Sequence, residues 1–258
     1  MADLPLPSLL DFAQEAAWQA GKITLSYFGT GVVPELKSDQ TPVTVADREA
    51  ERRLRAMIED RFPDHAILGE EYGETRHGAR YRWIIDPIDG TKSFVQGVPL
   101  YGVLVGLERD GEPVLGVCNL PALGEMVAAA RGLGCTLNGR RATTSTVRDL
   151  GSAVKLATDV ASFAEHERDD VYYELEGATR FTRTWGDCYG HILVATGRAE
   201  MMLDPVMNVW DCAALLPILQ EAGGTFTDWE GNPTIHGPNA ISTNGRLFDD
   251  VMAIVRSI

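Results

Sequence analysis

Four carboxylates in three short stretches are of the type and spacing to share one chemistry. "WIIDPIDGT" (83–91) ends an apolar run with Asp86 and Asp89, three residues apart around a proline and followed by Gly90 and Thr91. "ILGEEYG" (67–73) places Glu70 and Glu71 just past a glycine, at the end of another short apolar run. "NVWDCAALLPILQEAGG" (208–224) sets Asp211 at the start of an apolar helix, where the N-terminal dipole favours an ionised carboxylate. Gathered in one place, Glu70, Asp86, Asp89 and Asp211 repel one another unless cations lie between them. Such an all-oxygen donor set suits Mg²⁺, which prefers carboxylate, carbonyl and water ligands. Read alone, "DPIDGT" also fits a strand running into a proline turn, with Asp and Gly present for turn chemistry.

The elements that must position these acids alternate along the chain. Leu9, Phe12, Ala16, Ala20, Ile23 and Tyr27 recur at spacings of three and four, which predicts a helix over 8–28. A second helix is expected from Val45 to Phe62, stopped by Pro63. Residues 101–120 read as a hairpin around Asp110-Gly111. Beyond Arg141, strands near 153–158, 199–203, 224–228 and 240–243 alternate with helices near 165–176, 187–197, 209–222 and 245–256. The expectation is an α+β half, residues 1–141, carrying most of the acids, and an α/β half, residues 142–258, carrying Asp211, with an interface between them.

Composition narrows the class. At 258 residues, 45% hydrophobic and 23% charged, the chain is long enough to bury a continuous core. A formal charge of −14 argues against nucleic acid as a partner, since that affinity rests on clustered Lys and Arg. The densest basic stretch, "REAERRLRAMIEDR" (48–61), is interleaved with acids in the manner of a solvated helix face. No apolar run approaches the roughly 20 residues that cross a bilayer, so no membrane partner and a cytoplasmic location are expected. The four cysteines are far apart, without a C-x-x-C pair, and read as small apolar residues.

Two known phosphatase signatures fail on spacing and context. In haloacid-dehalogenase-type enzymes the pattern is D-x-D-G-T, whereas two residues separate Asp86 from Asp89 here. "RHG" (76–78) resembles a histidine-phosphatase motif but sits in the polar stretch "YGETRHGARY", with no strand before it, and reads as a surface loop.

Taken together and in this order, "LGEE", "DPIDGT" and "WDCAA" resemble the inositol monophosphatase family of Mg²⁺-dependent, lithium-sensitive phosphatases, over nearly the whole chain. "TPVTVADREAE" (41–51) resembles the family's segment before its second helix, with Asp47 at a functional position. The resemblance implies a layered αβαβα sandwich, assembled as a homodimer. It further implies a first metal on Glu70, Asp86 and the Ile88 carbonyl, a second on Asp86, Asp89 and Asp211, and a third, weaker one leaning on Glu70. Mg²⁺ is the expected ion, with Mn²⁺ able to substitute. Glu70 and Thr91 would orient the attacking water, Asp47 would hold Thr91, and the Gly90 and Thr91 N–H groups would bind phosphate.

The segment "WGDCYGH...DPVMNVWD" (185–211) resembles the histidinol-phosphatase branch of that family. Asp187 follows Gly186, and Asp204 stands seven residues before Asp211 where the family commonly has Glu. Carboxylates there suit a cationic alcohol, making histidinol phosphate the expected substrate; inositol, sugar or nucleotide phosphates and a non-catalytic binding role are the alternatives. Asp187 is equally well placed to cap a helix. Asn208 and Asn244 are further candidates for the substrate pocket, Asn244 through a loop that could reach a neighbouring subunit.

Overall fold

Residues 4–37 and 41–257 are described by the computed structural model. The apolar stripe of the N-terminal segment forms α1 (Leu6–Tyr27), burying Leu9, Ala13, Ala16, Ala17 and Ala20. Next, α2 (Val45–Arg61) starts at a Thr44–Asp47 capping box and buries Ala50, Leu54 and Ile58. A small ribbon, β1 (Glu35–Leu36) with β2 (Pro42–Val43), lies between the two helices in sequence.

Both helices cover one face of a sheet built from β3 (Ala66–Gly69), β4 (Gly73–Thr75), β5 (Tyr81–Asp89), β6 (Gly102–Arg109), β7 (Glu112–Leu120), β8 (Glu125–Ala130), β9 (Gly134–Leu137) and β10 (Arg140–Ala142), in the order 10-9-8-7-6-5-3-4. The hairpin expected at Asp110-Gly111 is present: both residues have positive φ, 55° and 82°, as a tight turn of matching twist requires. Alternation along β5 sends Trp83 and Ile85 into the core beneath α1 and α2, and Ile84 into the core on the opposite face.

That opposite face is covered by α6 (Asp187–Ala195) and α7 (Val209–Glu221), which follow α3 (Thr91–Val95), α4 (Val160–Glu165) and α5 (Asp169–Ala178) in the chain. The close approach of α7 depends on two glycines. A Cβ on Gly106 would lie 2.8 Å from the Ala213 backbone, and one on Gly116 would collide with Ala214. A second sheet backs α6 and α7: β11 (Val154–Ala157), β12 (Phe181–Arg183), β13 (Met201–Asp204), β14 (Thr225–Thr227) and β15 (Ala240–Thr243), ordered 12-11-13-15-14. Its far side is closed by α4, α5 and α8 (Phe248–Ser257), through Phe163, Leu175, Val251 and Val255. The succession is helix, sheet, helix, sheet, helix, the αβαβα sandwich expected.

The single helix expected over 165–176 is instead α4 and α5, broken where Glu167 takes a φ of 57° that no helix continues through. All four cysteines are buried and unpaired. Among the described residues, no helix is long and apolar enough to cross a membrane.

Candidate active site

An irregularity in β5 creates the site. On β6, Leu104 and Gly102 are two residues apart, yet they pair with Asp86 and Asp89, which are three apart. In a regular strand, residues three apart face opposite ways; the extra residue at the Pro87 bulge restores the parity. Asp86 and Asp89 therefore reach the same side, the side that Ile84 shares with α7. Because Gly106 and Gly116 admit α7 so closely, its first turn carries Asp211 to the same place. One carboxylate oxygen from each of Asp86, Asp89 and Asp211 lies within 4.8 Å of the others.

Each acid is held by its own turn. Asp86 Oδ1 accepts from the Ile88 N–H at 2.9 Å, and Asp89 Oδ2 accepts from the Cys188 N–H at the start of α6. Asp211 closes a capping box with Asn208, whose backbone N–H donates to Oδ2 at 2.7 Å and whose side-chain amide donates to the same oxygen at 3.3 Å. Asn208 thus acts on Asp211. Glu70 follows β3, and its charge acts on Asp86. Lys37 bridges Glu70 and Glu71 at 2.7 and 2.6 Å.

The electrostatics are those of a site built for cations. Burial, followed by the charges of Glu70, Asp89 and Asp211, pushes the Asp86 carboxyl well above its ordinary range. Burial and the neighbouring Asp187 and Asp211 do the same to Asp89. Asp211 is pushed up to about 7, first by burial. Anions crowded this closely in a poorly solvated place favour protonation unless a cation neutralises them. Hard oxygen donors fit a divalent ion such as Mg²⁺, so the residues present suit the metal.

Beside the acids, Gly90 takes a left-handed conformation (φ 84°) to start α3, where a Cβ would also press on the Leu100 carbonyl at 3.0 Å and on Asp187 Oδ2 at 3.1 Å. The Thr91 hydroxyl donates to the Ile88 carbonyl at 2.9 Å. The expected Asp47–Thr91 link is not what holds that hydroxyl. Asp47 instead receives the Thr44 N–H and hydroxyl at 2.7 and 2.6 Å, and its Oδ1 is buried without a partner among the described residues.

The capping expectation for Asp187 also gives way. Gly186 is the N-cap of α6, and Asp187 is the first helical residue, making no side-chain cap and strained at φ 55°. Its carboxyl lies against Gly90 and lines a cavity of about 650 Å³ together with Lys92, Thr158, Trp185 and Asp204. Asn244 is elsewhere: its amide donates to Ser145 Oγ and the Val147 carbonyl, and its Oδ1 caps Arg246 and Leu247, which leaves nothing for substrate. His77 is 77% exposed and pairs with Glu74 at 3.0 Å, in keeping with a surface loop.

Sequence reasoning missed Glu51. Fully buried, it accepts from the Glu71 and Tyr72 N–H groups and from Arg55, and so clamps the turn that carries Glu70. The signal was available, because Asp47 and Glu51 are acids one helical turn apart on the face of α2 that is otherwise Ala46, Ala50 and Leu54.

The family model described as "Inositol monophosphatase family" matches residues 6–257. This chain belongs to the inositol monophosphatase family. Like other members, it is a phosphatase. Among related proteins, a histidinol-phosphatase from Chlorobaculum parvum is 44% identical over 248 residues, covering 95% of this chain and 96% of the relative. A histidinol-phosphatase from Mycobacterium tuberculosis is 36% identical over 94% of this chain and 96% of its own length. The solved Thermotoga maritima inositol monophosphatase superposes with a TM-score of 0.89, at 32% identity and 97% coverage of both chains.

Proposed function

We propose that this family member is a magnesium-dependent phosphate monoester hydrolase that converts L-histidinol phosphate and water to L-histidinol and phosphate. The observation that carries the reading is the position of Asp187 and Asp204, two carboxylates on the wall of the cavity that opens beside the aspartate cluster. Likeness to the histidinol-phosphatases supports it.

Glu70, Asp86, Asp89, Asp211 and the Ile88 carbonyl would hold two Mg²⁺ ions, with a third leaning on Glu70. Bound there, the metal supplies Lewis-acid activation of water and neutralises charge on the phosphate and the leaving oxygen. Around it, the chain's own groups orient the reactants. Glu70 and the Thr91 hydroxyl direct the water toward phosphorus. The Gly90 and Thr91 N–H groups bind phosphate oxygens. Asp187 and Asp204 attract the ammonium or imidazolium of the alcohol portion, a feature that polyol phosphates lack. A homodimer is part of the same proposal.

The test compares initial rates on histidinol phosphate, inositol 1-phosphate and glycerol 2-phosphate after exhaustive dialysis against EDTA, with and without restored Mg²⁺ or Mn²⁺. The expected result is no hydrolysis without metal and a clear preference for histidinol phosphate with it. Full activity in EDTA, or equal kcat/KM on all three esters, would return the chain to another activity of the family.

A further inference from the structure

The cavity of about 650 Å³ contains more than its acids explain. Asp204 is only 5% exposed, and its carboxylate accepts a single hydrogen bond among the described residues, from the Val206 N–H at 3.2 Å. The Thr158 hydroxyl oxygen, from a residue on the same wall, is buried with no partner among the described residues. A buried polar group left unpaired costs about 1–3 kcal/mol, so the Thr158 hydroxyl, on the same wall as an Asp204 carboxylate that accepts only one hydrogen bond among the described residues, points to a ligand whose polar hydrogens these two groups complete. Asp159 does not share that role, since it caps α4 through the Ser162 N–H and hydroxyl at 3.0 and 3.1 Å.

Trp185 completes the wall. It is 41% exposed. Its backbone, however, is fixed: α6 packs onto it so tightly that a Cβ on Gly190 would lie 2.5 Å from the Trp185 carbonyl oxygen. The following turn is fixed too, with Asp187 in its left-handed conformation. An indole displayed from a rigid turn, on the wall of a cavity that Asp187 and Asp204 also line, matches a flat or cationic group on two counts. The face of the ring attracts a cation, and it offers stacking area at little entropic cost.

Building on the substrate reading above, we propose that Trp185 is a specificity-determining residue, whose indole face stacks on the imidazole of the leaving alcohol while Asp204 and the Thr158 hydroxyl take its polar hydrogens. The phosphate end is left to Gly90, Thr91 and the metal cluster.

The experiment measures kcat/KM for histidinol phosphate and glycerol 2-phosphate with Trp185→Ala, Trp185→Phe and Thr158→Val, using Trp18→Ala on α1 as a control at another exposed tryptophan. The ratio of the two specificity constants should fall about tenfold in Trp185→Ala, mainly through KM, and recover in large part in Trp185→Phe. Thr158→Val should lower it several-fold, and Trp18→Ala should not move it. A parallel titration follows quenching of tryptophan fluorescence by L-histidinol in the presence of phosphate and Mg²⁺, which should be present in the wild type and lost in Trp185→Phe. An unchanged ratio in Trp185→Ala overturns the proposal. So does an equal fall on both esters accompanied by a smaller species in gel filtration, which would make Trp185 an interface residue. If the wild type hydrolyses both esters alike, the substrate reading fails by itself. The subsite is then judged on quenching: loss in Trp185→Phe upholds it, and equal quenching in both proteins rejects it.

Discussion

Replacing Asp211 with asparagine should make the metal-free protein more stable while destroying its activity. The carboxyl is pushed up to about 7 from an ordinary value near 3.8, with burial the leading cause. For an acid raised on folding, the stability it supports is fully present below the unfolded pKa and is lost as pH rises through the folded one. The penalty therefore grows between pH 3.8 and 7 and levels off above. Three units correspond to about 4 kcal/mol at pH 8. Asp211 keeps a partial opening to solvent, which reduces this to roughly 2 kcal/mol. Asparagine retains an acceptor for the Asn208 N–H, so weakening the capping box removes only about 0.5–1 kcal/mol of the gain. Urea unfolding in EDTA should then find Asp211→Asn more stable by roughly 1–1.5 kcal/mol at pH 8 and close to parity at pH 5. Saturating Mg²⁺ should reverse the order at pH 8, because binding to the native state stabilises the wild type and not the variant. A variant less stable than wild type in EDTA by the same amount at both pH values would refute the reasoning, since it would mean that the clustered charges cost the fold nothing.

Three further outcomes follow from the same geometry. Asp89→Asn and Thr91→Ala should each lower kcat by roughly 100-fold or more with far-ultraviolet circular dichroism unchanged, whereas His77→Ala should keep wild-type turnover. Asp204→Asn should lower kcat/KM on histidinol phosphate by about one to two decades and on glycerol 2-phosphate by less, with Mg²⁺ dependence retained, as steady-state rates on both esters will show. Glu51→Gln halves the acceptor capacity that the turn at Glu70 relies on, so Mg²⁺ titrated by calorimetry should bind at least several-fold more weakly, by an effect that Arg55→Lys does not reproduce in full.

What could be read from the sequence divides along the range of the interactions involved. Local patterns carried well: the apolar stripe of α1, the stop at Pro63 and the Asp110-Gly111 turn each depend on neighbours within a few residues. Other features required knowledge of the folded backbone. Asp187 looked like a cap because Asp after Gly is well placed to be one, yet Gly186 is the N-cap and Asp187, the first helical residue, is left-handed and caps nothing with its side chain. Asn244 looked like a pocket residue because polar loop residues near a site often are; its amide is consumed by Ser145 and Val147, about a hundred residues earlier. Glu51 was hidden for the reverse reason, since its partners are the Glu71 and Tyr72 backbone, which have no side-chain signature at all. Even the central fact, two aspartates three apart facing one way, contradicts strand periodicity until the β5–β6 register is known. Proline between them was the one local hint, because it cannot donate to a sheet and so marks where the ladder must break. The chemistry of this site therefore follows from an irregularity in pairing, and the residues that enforce it, Pro87, Gly106 and Gly116, bear no reactive group.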